Sequence, residues 1–128
     1  MKKKIISCSA LILLSLITFT QGINASYHGF AGSAGYSYRK VGDANPKDNH
    51  GYLGGIRWQS SDHSGHKEWF VIKNSQGAIR SSEILINRPS SETTYVNVTT
   101  TYGYYYYLYA SREHLGNPYT YVTGTWQP

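Results

Sequence analysis

The residues of this 128-residue chain with the most reactive side chains lie at 62–66, where the sequence reads DHSGH. His63 and His66, with His50 one loop earlier, supply imidazole nitrogens, which are common metal ligands. Ser64 next to His63 provides only adjacency between a nucleophile and a base. The spacing matches no established metal motif, and no GxSxG sequence surrounds the serine. Solvated turn residues are therefore the favoured interpretation, and a metal site on the three histidines is the weaker one.

The acidic residues and the cysteine do not predict an active site either. The seven Asp and Glu residues are scattered, so they indicate no carboxylate pair of the kind that glycoside hydrolysis requires. The only cysteine, Cys8, lies in the N-terminal leader described below, which leaves no thiol for a disulfide, a metal or a nucleophile. We therefore expect a protein that is not an enzyme and that uses no cofactor.

A dense run of tyrosines at 102–110, YGYYYYLYA, suggests binding rather than catalysis. Side chains alternate between the two faces of a strand, so Tyr106 and Leu108 are expected in the core, together with Ala110 and with Tyr104 on the same face. A second row of tyrosines then lies on the opposite face. If the last two strands pair as a hairpin, this outer row gains two members and comprises Tyr105, Tyr107, Tyr109, Tyr119 and Tyr121.

This five-tyrosine row has two interpretations. Tyrosine offers large, rigid, amphipathic contact area, which suits a binding surface and stacking on flat ligands. The alternative is cross-strand aromatic pairing that only stabilises the sheet, at about 0.2 to 1 kcal/mol for each pair. An exposed contiguous patch usually has a use, which keeps binding as a hypothesis of equal weight.

Seven segments have strand-like patterns, and turn-forming residues separate them. These segments are 36–41, 52–59, 67–73, 79–88, 93–101, 104–110 and 119–126. Short strands at this spacing predict an all-β fold, a small antiparallel β-sandwich of immunoglobulin-like or fibronectin-like type, with a small barrel as the alternative. The continuous apolar run at 67–73 predicts a central strand covered on both faces.

The remaining segments are interpreted as irregular. The Gly-rich residues 26–35 predict a loose N-terminal arm. The segment 42–51, GDANPKDNHG, and the segments 74–77 and 114–118 predict a loop and two turns. The expected core residues, which recur at period 2, are Trp69, Val71, Ile84, Ile86, Val96, Val98, Tyr106, Leu108 and Val122.

Residues 1–25 have the pattern of a signal peptide, with Lys2, Lys3 and Lys4 before an apolar stretch and a small residue, Ala25, at the cleavage site. Cleavage there predicts a secreted, extracellular protein with one domain at 26–128 and no stable membrane anchor. An uncleaved anchor is the alternative. Removal of the leader leaves nine basic and seven acidic residues without a basic cluster, so nucleic acid is not an expected partner.

Four segments carry a family resemblance: YRKVGDANPKD at 38–48, EWFVIKNSQGAIRS at 68–81, YYYYLYASRE at 104–113 and YTYVTGTWQP at 119–128. With the leader, they resemble small exported proteins of unknown function from Gram-positive bacteria, some of them encoded near bacteriocin-type export systems. The resemblance implies a secreted β-domain and transfers no catalytic or binding residue. Secreted bacteriocins of the β-sandwich type share the Gly and Tyr richness and the GTW triplet, but in them this triplet lies near the mature N-terminus.

Two functional hypotheses follow. The first is a secreted, non-enzymatic binding module whose tyrosine face contacts cell-wall glycan or a protein partner at the bacterial surface. The second is a secreted bacteriocin-like antimicrobial protein or its accessory factor.

Overall fold

The computed structural model describes residues 26–62, 67–113 and 119–128, which form eight β-strands in two four-stranded antiparallel sheets. The strands are β1 His28–Ala34, β2 Arg39–Pro46, β3 Leu53–Ser61, β4 Glu68–Asn74, β5 Ile84–Ile86, β6 Thr94–Asn97, β7 Tyr105–Arg112 and β8 Thr120–Gln127. Sheet A has the order β1-β8-β3-β6, and sheet B has the order β2-β7-β4-β5. The predicted all-β class is confirmed, and the predicted turn at 114–118 lies outside the described residues.

The strand pairs are nested like the arms of one long hairpin. β4 pairs with β5, β3 with β6, β2 with β7 and β1 with β8, all antiparallel. Rolling this hairpin onto itself adds the contacts of β8 with β3 and of β7 with β4, which gives the jelly-roll arrangement of eight strands. An immunoglobulin-like sandwich places its first two strands in one sheet, whereas β1 and β2 lie in different sheets here. The sandwich therefore has eight strands and not seven, and their order is not that of the expected immunoglobulin-like type.

Two segments that were expected to be irregular are strands. Within 26–35, β1 pairs with β8 in continuous register from His28↔Trp126 to Ala34↔Thr120. β2 extends into the turn-forming residues 42–46, where register shifts in its pairing with β7 accommodate the irregular composition. Both predictions were wrong for the same reason. The backbone partners that make these segments strands lie 59 or more residues away along the chain, beyond the reach of local composition.

The core lies between the two sheets, and β7 contributes to it as predicted, except that Tyr104, expected on the same face, precedes the strand and is 65% exposed. Tyr106 is 4% exposed, and Leu108 and Ala110 are fully buried. On β4 the predicted faces are reversed, because Phe70 and Ile72 lie in the core cluster. The members of the expected core that contact this cluster are Ile84, Ile86, Val96, Val98, Tyr106, Leu108 and Val122.

The reversal on β4 has a simple cause. A continuous apolar run contains no alternation that would distinguish its two faces. Val71 is fully buried although it does not belong to the core cluster, and its neighbour Trp69 is partly exposed. The prediction that this central strand is covered on both faces therefore holds only in part, because on the outer face Val71 is buried while Trp69 and Lys73 are half-buried.

The end of β2 is joined to the end of β8 by buried polar contacts. The Nδ2 atom of Asn45 donates to the carbonyl oxygen of Trp126 over 2.9 Å, and the Nζ atom of Lys47 donates to that of Pro128 over 2.8 Å. Burial lowers the pKa of the Lys47 ammonium. A Cβ atom on Gly42 would lie 2.6 Å from Nε1 of Trp126, so this close approach of β2 to the ring requires glycine.

Candidate binding groove

An open groove of about 700 Å³ lies at the end of the sandwich where β4 ends and β7 begins. The four consecutive tyrosines at 104–107 contribute to its lining, with the side chains of Tyr104 and Tyr105 well exposed and that of Tyr106 buried in the core. Polar side chains complete the lining, among them Asn74, Gln76, Arg80, Thr99 and Thr101. Aromatic surface combined with a few convergent polar groups is typical of ligand-binding sites.

One rim of the groove is the predicted turn at 74–77, which the structure confirms. The backbone N–H of Gly77 donates to the carbonyl oxygen of Asn74 over 3.0 Å, and Oδ1 of Asn74 accepts from the N–H groups of Gln76 and Ala78. Gly77 has a φ angle of +80°, which favours glycine at this position. The side chain of Asn74 thus closes its own turn and holds that rim in place.

The opposite rim is the turn that leads into β7. Gly103 has a φ angle of +85°, and its N–H donates to the carbonyl oxygen of Lys47 over 2.9 Å. The buried hydroxyl of Tyr106 accepts from the backbone N–H of Thr101 over 2.7 Å. This is the backbone contact that defines a tyrosine corner, here two residues before the buried Leu108. The corner therefore fixes the groove's second rim to the core.

Arg80 lies between the two rims. Its backbone N–H donates to the carbonyl oxygen of Ile72 over 2.8 Å, and its carbonyl oxygen accepts from the N–H of Thr99 over 2.8 Å. Its guanidinium makes no hydrogen bond or ion pair with any residue in the described parts of the chain. The backbone of Arg80 is thus fixed by hydrogen bonds to Ile72 and Thr99, and its cationic side chain lines the groove.

The predicted outer row of β7 extends from the groove, but only its first ring is well exposed. Tyr105 is 57% exposed, whereas Tyr107 and Tyr109 are half-buried beneath lysines. The Nζ atom of Lys40 lies 5.1 Å from the ring centroid of Tyr107, and that of Lys73 lies 4.5 Å from the centroid of Tyr109. These distances are those of cation–π contacts.

Tyr38 extends this arrangement, since its ring centroid lies 5.5 Å from Nζ of Lys73. Burial raises the pKa of the Tyr38 hydroxyl to about 12, with the charge of Glu83 as a second cause. We call these alternating side chains the cation–tyrosine ladder; its members are Tyr38, Lys40, Lys73, Tyr107 and Tyr109.

Tyr119 and Tyr121 do not join this surface. β7 belongs to sheet B and β8 to sheet A, so the last two strands form no hairpin. Tyr121 is 48% exposed on the opposite side of the sandwich, and Tyr119 stacks against Arg39 with 4.8 Å between its ring centroid and Cζ. The expected row of five tyrosines is therefore two separate sets.

The candidate metal ligands are only partly described. His50 stacks on Tyr102, with 4.4 Å between ring centroids, and His63 and His66 lie outside the described residues. Residues 26–62, 67–113 and 119–128 contain no group of three His, Cys, Asp or Glu side chains arranged to hold a metal ion.

A buried charged pair at the far end of β4 from the groove was missed by the sequence analysis. Glu68 and Arg112 are cross-strand partners and are at most 4% exposed. Burial raises the pKa of Glu68 to about 7, although Thr120 and Arg112 act to lower it and Asp62 adds to the rise. Neither the carboxylate nor the guanidinium makes a hydrogen bond of normal geometry within the described residues. In the sequence Glu68 looks like an exposed charge that caps an apolar run, so no local signal reveals its burial.

Comparison of this chain with protein-family models, with curated proteins and with solved structures finds no match. Within the described residues, no helix has the length and apolar character needed to cross a membrane.

Proposed function

We propose that this protein is a secreted, non-enzymatic module that binds cell-wall glycan at the bacterial surface through the groove at 74–80 and 99–107. The observation that carries the proposal is the lining of this groove, which combines the exposed rings of Tyr104 and Tyr105 with amide, hydroxyl and guanidinium groups. Localisation follows from the leader pattern at 1–25, which is removed on export.

The chemistry of the lining suits a sugar chain. The apolar faces of pyranose rings stack on flat aromatic side chains, and Tyr104 and Tyr105 are 65% and 57% exposed for this purpose. Sugar hydroxyls both donate and accept hydrogen bonds, which matches the amide of Gln76 and the hydroxyls of Thr99 and Thr101. An open groove also admits a polymer from either end, whereas a closed pocket would admit only a chain terminus.

The fold is compatible with this role. Jelly rolls serve as lectin domains among many other functions, so glycan binding is a role that this architecture supports. The described residues that line the groove include no paired nucleophile and base and no carboxylate pair, which supports a binding role over catalysis. A surface protein is the alternative partner for the same rings.

Co-sedimentation with isolated cell wall tests the proposal. Replacing Tyr104 and Tyr105 together with serine should reduce wall binding by about tenfold or more, since stacked aromatic rings carry much of the contact. Tyr95→Ser is the matched control, because this ring is 60% exposed on sheet A and does not line the groove. Its binding should equal that of the unmodified protein.

Wall treated with protease separates the two kinds of partner. Undiminished binding after removal of wall proteins supports a glycan ligand. Loss of binding after this treatment, or full binding by the double variant, would exclude the proposed function.

A further inference from the structure

We propose that the glycan bound by this groove is anionic, and that Arg80 and the cation–tyrosine ladder together recognise its negative charges. This inference rests on the proposed function, because it names the class of polymer that the same site binds. It is based on where the cations and the carboxylates of the described residues lie.

The groove itself has a positive lining. Among the described residues that line it, Arg80 is the only one with a charged side chain, and none is Asp or Glu. The guanidinium has no hydrogen-bond or ion-pair partner within the described residues, so its donors are available to a ligand. A planar guanidinium forms paired hydrogen bonds with carboxylate or phosphate groups, which makes Arg80 suited to an acidic substituent on a sugar chain.

The positive charge continues beyond the groove along the ladder. Tyr107 belongs to both the groove wall and the ladder, and Nζ of Lys40 lies over its ring. Lys73 follows, held between the rings of Tyr38 and Tyr109. A ring that holds an ammonium by a cation–π contact orients it without neutralising its charge. The lysines can therefore attract an anionic ligand while the rings hold them in place.

The acidic residues do not cancel this charge. Glu83 acts on Tyr38 of the ladder, and exposed Asp43 lies three residues beyond Lys40 on β2, so these two carboxylates stand against the three cations Arg80, Lys40 and Lys73. Asp48, Asp62 and Glu68 are engaged elsewhere: the first with Ser26, the second with Tyr121 and the third inside the sandwich. The charge of the described surface is therefore complementary to a polymer with repeated negative groups, which would enter the groove and extend along sheet B.

Binding to three soluble polymers tests this inference. The probes are polygalacturonate, which carries carboxylates, poly(glycerol phosphate), which carries phosphates, and neutral dextran. The purified protein should bind one or both of the anionic polymers at low salt and should bind dextran at least about tenfold more weakly. Binding should weaken by about tenfold or more between 50 and 500 mM NaCl, because salt screens exposed charges. Which anionic polymer binds more tightly identifies the acidic group.

The variant Arg80→Gln should weaken binding to the anionic polymer by about tenfold, since a charge-assisted hydrogen bond is lost. Lys40→Gln with Lys73→Gln should weaken it further and reduce its dependence on salt. Arg88→Gln is the matched control, because it removes one exposed positive charge near the other end of β4. This control should bind like the unmodified protein.

The outcomes separate this inference from the proposed function. Binding to isolated wall that depends on Tyr104 and Tyr105 but is insensitive to salt and to Arg80→Gln would overturn the anionic ligand and leave the glycan-binding function intact. Equal binding to dextran and to the charged polymers would likewise overturn the anionic ligand and leave the glycan-binding function intact. Absence of any binding to wall would overturn both.

Discussion

Glu68 is a carboxyl group that folding has removed from water, and its burial should make the stability of the protein depend on pH. Its pKa is raised from 4.5 to about 7, so the folded state favours the protonated form. The unfolded chain releases this proton at lower pH, and stability is therefore highest below pH 4.5 as far as this group is concerned. It falls as the pH rises from about 4.5 to about 7, by up to about 3 kcal/mol, and then levels off.

Urea melts at pH 5 and pH 8 measure this effect. The variant Glu68→Gln, which is neutral at both pH values, should be less sensitive to pH than the unmodified protein and more stable than it at pH 8. Other titrating groups, including the histidines, are common to both proteins, so the difference between them isolates Glu68. An identical pH dependence in the two proteins would show that this carboxyl is not the source.

Leu108 and Tyr107 are adjacent on β7 and point to opposite faces, which makes their substitutions a test of the core. Leu108 is fully buried in the core cluster, so Leu108→Ala should lower the free energy of unfolding by about 2 to 5 kcal/mol through lost burial and a residual cavity. Tyr107→Ser removes a half-buried ring under Lys40 and should cost about 1.5 kcal/mol or less. Denaturant melts should give this order, and the reverse order would contradict the assigned faces.

At the scale of elements, the pairing of β8 with both β1 and β3 depends on a glycine. A Cβ atom on Gly124 would collide with the carbonyl oxygen of Arg57 on β3 and would lie 2.8 Å from the ring of Phe30 on β1. Both neighbours are fixed, one by the sheet and the other by the core. Gly124→Ala should therefore destabilise the fold by about 1 to 3 kcal/mol or more, as overpacking does.

Gly29 is the matched control for this substitution, because it lies on β1 next to the same pairing. The nearest atom to a Cβ atom there is the carbonyl oxygen of Gly124, at 3.9 Å, which is ordinary contact. Gly29→Ala should change the melting temperature little, since such surface changes are usually within about 0.5 kcal/mol. Equal destabilisation by the two variants would indicate a general cost of side chains on these strands and not a specific collision.

At the scale of the whole molecule, the two sheets separate the tyrosines into independent sets. Tyr121 lies on β8, and Tyr119 precedes that strand and contacts Arg39 of β2. Neither residue lines the groove by β7. Replacing both with serine should leave binding to isolated cell wall unchanged within about twofold, because sites without shared contacts behave additively. Co-sedimentation under the conditions used for the Tyr104 and Tyr105 double variant provides the comparison. A loss as large as in that variant would place the ligand on both sides of the molecule.

Local patterns in the sequence determined several features of this protein. The alternation in the tyrosine run assigned Tyr106 and Leu108 to the core, since neighbouring side chains in a strand must point to opposite faces. The turn at 74–77 was predictable because Gly77 tolerates the required φ angle and Asn74 bonds to its own backbone neighbours. Part of the groove was predicted in this way, namely Tyr105 and Tyr107.

The remaining features were decided by tertiary structure, because they depend on partners that are distant in the sequence. β1 is a strand because its backbone groups pair with those of β8. The glycines in its own sequence did not indicate a strand. The continuous apolar run of β4 could not reveal that Phe70 faces the core, and the charge of Glu68 could not reveal its burial beside Arg112. The groove is lined by residues of the turn after β4 and of the start of β7, which are far apart in the sequence. The jelly-roll topology places β7 and β8 in different sheets. Strand pairing over such separations is set by the packing of the whole sandwich, which local side-chain patterns do not encode.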